Sequence, residues 1–193
     1  MFAKTVRYVA FVLVMVYAVL GAGLVIGFTI ADPGGWRAVL LVASWLVPLA
    51  ALVALALLRP ERAATVLTWV TALVAAFVLV YDAVAVRSHN GPVSAVVVFA
   101  LAVALGFLGL SWATLAGLLM VADGAAPLLG LGIGALVHGQ AAGLGGSATA
   151  AAVPVLAFGA LFLLAGWAEH VRAGRPDTAG HGVGLGSRWS PRS

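Results

Sequence analysis

The chain has 193 residues, 64% of them hydrophobic and only 8% charged. An ordinary soluble domain carries about 25% charged residues, so a soluble globular fold is excluded. Its net charge of +4 comes from ten basic residues against six acids, gathered at the ends of apolar runs, which is a bilayer-orientation pattern and not a nucleic-acid footprint.

A hydrocarbon core about 30 Å thick needs about 20 apolar residues per helix. The pattern therefore predicts an all-α, polytopic transmembrane bundle with six spans over residues 1–170. Span 1 is expected at 9–30, where Lys4 and Arg7 precede an apolar run. That run is too long for a signal-peptide core of roughly 7–15 residues, so it reads as a membrane helix. The Asp32-Pro33-Gly34-Gly35 turn closes it. Span 2 is expected at 38–58, ending in the polar turn Arg59-Pro60-Glu61-Arg62, and span 3 at 64–86, ending in Arg87-Ser88-His89-Asn90-Gly91-Pro92. Span 4 is expected at 93–110, with Ser111-Trp112-Ala113 turning the chain into span 5 at 114–137. The Gly-rich linker from His138 to Ser147 leads to span 6 at 148–167. Residues 171–193 read as a disordered, basic tail.

An alternative joins spans 4 and 5 into one long helix, with a turn at Asp123-Gly124-Ala125-Ala126-Pro127 and a re-entrant piece after it. Six spans keep every helix near the required length. They also place Lys4, Arg7, Arg59, Arg62, Arg172, Arg175, Arg188 and Arg192 on one side, against Arg37 and Arg87 on the other. Basic residues mark the cytoplasmic side, so both termini are expected there. Tyr8, Trp112 and Trp167 then fall at the inner interface, and Trp36 and Tyr81 at the outer. Arginine in place of lysine, beside abundant Ala, Val and Gly, points to a GC-rich bacterial genome and so to a bacterial plasma membrane.

The absence of cysteine removes thiolate metal sites and disulfides. No cofactor is expected. The four histidines, His89, His138, His170 and His181, have no helical i, i+3 or i+4 spacing for a metal. Gly130-Leu131-Gly132-Ile133-Gly134-Ala135 fits a dinucleotide-binding pattern by letter but has no preceding strand and no acid about 20 residues on. Gly145-Gly146-Ser147-Ala148-Thr149 lacks the second glycine of a nucleophile elbow. No nucleophile is paired with a base, so an enzyme is not expected. Gly23-xxx-Gly27 in span 1 and Gly130-xxx-Gly134 in span 5 carry the spacing that lets helices approach closely in lipid. Packing within the bundle is the simpler reading, and a dimer interface the other.

Asp123 stands apart. It falls near the middle of span 5, where an Asp costs about 2.5–3.5 kcal/mol to insert and each Leu returns about 0.3–0.6 kcal/mol. The leucines of that span roughly cancel this one residue, so the span must insert with help from its neighbours. Tyr17, Ser44, Thr68 and Thr71 sit at comparable depths as hydrogen-bond candidates. An acid so placed either bonds quietly to a neighbour or lies on a proton, ion or solute path. Asp82 is a weaker case, near the outer end of span 3 and close to Arg87.

Two functions from different classes follow. The first is a non-catalytic membrane subunit or assembly partner acting through helix packing, surrounded by lipid and bound to another membrane protein or to a second copy. The second is a small transporter, or its membrane-embedded binding component, with Asp123 on the path. A single mid-span acid with scattered hydroxyls is a thin polar lining for a solute, so the first reading is favoured.

Overall fold

In a computed structural model of the chain, residues 2–31, 36–84, 93–138 and 147–173 are described. They form six α-helices: α1 (Phe2–Ala31), α2 (Trp36–Leu58), α3 (Pro60–Val84), α4 (Val93–Gly109), α5 (Ala113–His138) and α6 (Ser147–Ala173). Four of them carry a stretch long and apolar enough to cross a membrane, at Ala3–Gly21, Pro60–Ala83, Ala113–Val137 and Thr149–Val171. The fold is all-helical and its helices fit a membrane protein. The expected turns at Asp32–Gly35 and Arg87–Pro92, the Gly-rich linker after His138, and residues 174–193 lie outside the described residues.

Several boundaries differ from expectation, for identifiable reasons. Only Arg59 separates α2 from α3, although four residues were expected to form the turn. Its N–H donates to the Leu55 carbonyl and its own carbonyl accepts from Ala63, both at 2.9 Å. Pro60 needs no donor at the first helical position, and Glu61 follows where the helix dipole favours an acid. α6 runs through Ala173, six residues past its expected end, so Val171 to Ala173 belong to the helix and not to the tail. The alternative turn at 122–127 does not occur, because α5 is continuous from Ala113 to His138.

α4 touches every other helix, and the remaining five form a ring around it in the order α1, α6, α5, α3, α2. The contact between α1 and α2 is the thinnest in that ring. This placement follows from composition. From Ala95 to Gly109 α4 has no polar side chain, and a helix apolar on every side suits burial among other helices. Val98, Leu101, Leu105 and Leu108 form the centre of the core, with Leu67 and Val78 of α3 and Phe162 of α6.

Glycines set the closeness of the packing. A methyl group on Gly117 would stand 2.8 Å from the Gly159 carbonyl oxygen, and one on Gly124 would stand 3.1 Å from the Ala152 carbonyl oxygen. Gly166 meets Thr114 at the other end of the same pair. Rising numbers in α5 thus pair with falling numbers in α6, and the two helices run antiparallel from Thr114 to Gly124 of α5. α1 and α6 are also antiparallel. Arg7 pairs with Glu169 at 3.4 Å, and the Tyr17 hydroxyl donates to the Ala150 carbonyl at 2.7 Å. Tyr8, Trp112 and Trp167 are all exposed and gather at the end marked by the Arg7–Glu169 pair.

Candidate functional site

The buried side of α3 is the stripe Ala63, Leu67, Thr71, Val78 and Asp82, which runs the length of the helix. Near its end α5 lies against it. A methyl on Gly130 would stand 2.8 Å from the Leu79 carbonyl oxygen and 3.0 Å from Asp82 Cβ. Since both contacts fall late in their helices and the stripe is buried throughout, α3 and α5 run parallel. Gly134, one turn on, is also buried. The expected packing role of the Gly130-xxx-Gly134 pair thus has a partner in α3, while the surroundings of Gly23 and Gly27 lie outside the described residues.

Asp123 stands seven residues before Gly130. Seven residues are two turns at 3.6 per turn, so the two share a face of α5. The carboxyl therefore lies on the α3 side of α5, roughly a quarter turn from the α6 face that Gly117 and Gly124 define. About 10 Å of helix separates Gly130 from Asp123 at 1.5 Å per residue. The same step back along α3 from Leu79 and Asp82 reaches 72–75, within a turn of Thr71.

Both residues are shut away from solvent and lipid. Asp123 is 0% exposed and Thr71 is 1% exposed. Neither Asp123 oxygen has a hydrogen-bond partner, and neither does the Thr71 hydroxyl. The other hydroxyls expected at this depth are engaged or placed elsewhere. Thr68 back-bonds to the Ala64 carbonyl of its own helix at 2.7 Å. Tyr17 bonds to Ala150, and Ser44 is exposed on α2. Of the four, Thr71 alone faces the same seam as Asp123. Asp82 lies further along, 7% exposed and beside Gly130.

Prolines add a second layer that the sequence reading missed. Pro48, Pro127 and Pro154 lie inside α2, α5 and α6. Each lacks the N–H that the carbonyl four residues earlier would accept. The carbonyls so deprived belong to Ser44, Asp123 and Ala150. Tyr17 supplies a replacement donor at Ala150, which explains a hydroxyl bond between helices 133 residues apart. Pro127 deprives Asp123 itself, and Pro127 is fully buried. The signal was available in the sequence as the i, i+4 pair Asp123–Pro127.

A shallow apolar depression lies between α1, α4 and α6, lined by Val14, Tyr17, Phe99, Val155 and Phe158 among others. It does not reach Asp123. Among the described residues no group of three His, Cys, Asp or Glu converges. The chemistry this site offers is oxygen donors in an apolar seam. No family model, curated protein or solved structure matches the chain.

Proposed function

We propose that the protein is a multi-pass integral membrane protein of the bacterial plasma membrane. In this reading it acts as a non-catalytic subunit or assembly partner through helix packing. It crosses the bilayer six times with both termini cytoplasmic. The observation that carries this reading is the filled, ringed core, in which five helices enclose α4 and α5 meets α6 and α3 through glycine contacts. Such a body is built for rigid packing. The Arg7–Glu169 pair and the exposed Tyr8, Trp112 and Trp167 at one end support an interface there.

Its partner is another membrane protein or a second copy, received on α1. Val9, Val12, Leu13, Val16, Val19 and Leu20 are exposed along that helix. Two turns beyond Val16 and Leu20 the sequence places Gly23 and Gly27, with the spacing that favours helix association in lipid. Because the chain has no cysteine, single cysteines can be introduced without background. Cysteine at Val12 or Val16 should form cross-links in native membranes, and cysteine at Leu129 on α5 should not. Extraction in mild detergent should yield a stoichiometric complex. A chain that extracts alone as a monomer, with no cross-link from α1, refutes the reading.

A second reading, a small transporter or membrane-embedded binding component, is favoured by one observation, the complete burial of Asp123. In that case Asp123→Asn abolishes solute or ion flux in vesicles while leaving the fold intact.

A further inference from the structure

Inside the α3–α5 seam, oxygen atoms accumulate without donors to answer them. The Asp123 carboxylate contributes two, neither of them bonded, and the Thr71 hydroxyl a third. The Asp123 backbone carbonyl is a fourth, since Pro127 has no N–H to give it. α4, which packs against both helices, has no polar side chain from Ala95 to Gly109. Natural proteins leave few buried polar atoms unsatisfied, and in an apolar interior each such atom costs about 1–3 kcal/mol. Three buried side-chain oxygens without donors, on two helices that pack together, with a carbonyl deprived of its helical donor beside them, call for something electropositive between them.

Charge balance narrows what that is. One carboxylate offsets one positive charge. A divalent ion would leave an excess charge in the same apolar seam, and such ions gather several carboxylates. Oxygen-only donors suit a hard cation. Helix carbonyls released from their own hydrogen bonds are also the groups that coordinate cations at membrane depth.

We propose that the seam between α3 and α5 binds one monovalent metal cation, held by the Asp123 carboxylate, the Asp123 backbone carbonyl and the Thr71 hydroxyl. Thr71 anchors the ion from α3 and Asp123 from α5, so the ion ties the two parallel helices together about 10 Å along the seam from the close approach at Gly130. Binding is claimed here and transport is not, so the site is compatible with either function above.

The test uses the full-length protein in lipid nanodiscs. Its thermal unfolding is followed in lithium, sodium, potassium and choline chloride at constant pH and ionic strength. One alkali cation should raise the unfolding temperature saturably over choline. Asp123→Asn should abolish the rise, and Thr71→Val should move it to higher salt. Pro127→Ala should weaken the ion, because it returns an N–H to the Asp123 carbonyl. Infrared spectra of the wild type should show an Asp123 carboxylate band that shifts with the cation. If Asp123→Asn fails to fold, the wild-type salt series with Thr71→Val and Pro127→Ala decides the matter. Equal unfolding in all four salts, with the carboxyl at protonated-acid frequency throughout, overturns the proposal and leaves a neutral acid in the seam. A cation effect that survives in folded Thr71→Val and Pro127→Ala unchanged also overturns it, and places the ion elsewhere.

Discussion

Tyr17 shows how a single side chain repairs a helix to which it does not belong. Its hydroxyl donates to the Ala150 carbonyl, which Pro154 leaves without a helical donor. Its ring stacks on Phe99 at 4.6 Å and meets Phe158 edge-on at 5.6 Å. Tyr17→Phe keeps both ring contacts and removes only the donor. The expected loss is about 1 kcal/mol, in the range of hydrogen bonds between membrane helices. Restoring the backbone N–H with Pro154→Ala should make that loss vanish, so a double-mutant cycle by reversible unfolding in detergent gives a coupling close to the whole effect. An equal loss in both backgrounds would mean that the hydroxyl acts by some route other than the Ala150 carbonyl. Asp123 is the parallel case, since Pro127 deprives its carbonyl in the same way.

Among the elements, α5 is the best test of what close approach requires. Gly130→Ala places a methyl 2.8 Å from a backbone oxygen of α3, and backbone cannot step aside as a flexible side chain can. The expected cost is about 1–3 kcal/mol, the usual penalty for overpacking. Gly132→Ala meets nothing within 4 Å and should be neutral or slightly stabilising, since alanine is the better helix former. Comparing the two unfolding temperatures checks the assignment, and equal effects would contradict it. The helices themselves were largely legible in the sequence, because uninterrupted apolar length is a strong local signal. Their ends were less so. Arg59 closes one helix and opens the next in a single residue, which composition does not announce. The site was legible in part. Burial of Asp123 followed from its position along span 5, whereas the choice of Thr71 over Thr68 as its neighbour depends on which face of α3 meets α5. The small-xxx-small spacing found Gly130 but missed Gly117, Gly124, Gly159 and Gly166. Those four repeat at seven residues, and they make sense only once α5 and α6 are laid side by side.

At the scale of the whole molecule, the proposed six crossings predict where each end of the bundle lies. A reporter fused after Ser193 should read as cytoplasmic, and one inserted between Arg87 and Pro92 as external. The eight-to-two split of Lys and Arg is the reason. A periplasmic reading at Ser193 would overturn both the orientation and the even number of spans. The Arg7–Glu169 pair joins the two terminal helices at one end, with side chains 17% and 42% exposed. Its contribution to stability is small, on the order of 0.5 kcal/mol, and its value is as a marker of geometry.

The ring around α4 also imposes an order in time. α4 is made before α5 and α6, and these two close one side of the ring that surrounds it. During synthesis it must therefore sit against lipid on a flank that the finished protein covers. A helix with no polar side chain from Ala95 to Gly109 tolerates that wait, whereas a helix carrying a buried acid would not, and Asp123 arrives on α5 when α3 is already there to receive it. A photoreactive group on α4 at Leu105, which is fully buried in the finished fold, should label phospholipid in ribosome-bound chains halted before α5 emerges. It should lose that labelling once α6 has been released. Lipid labelling that persists in the completed chain would mean that the ring does not close around α4.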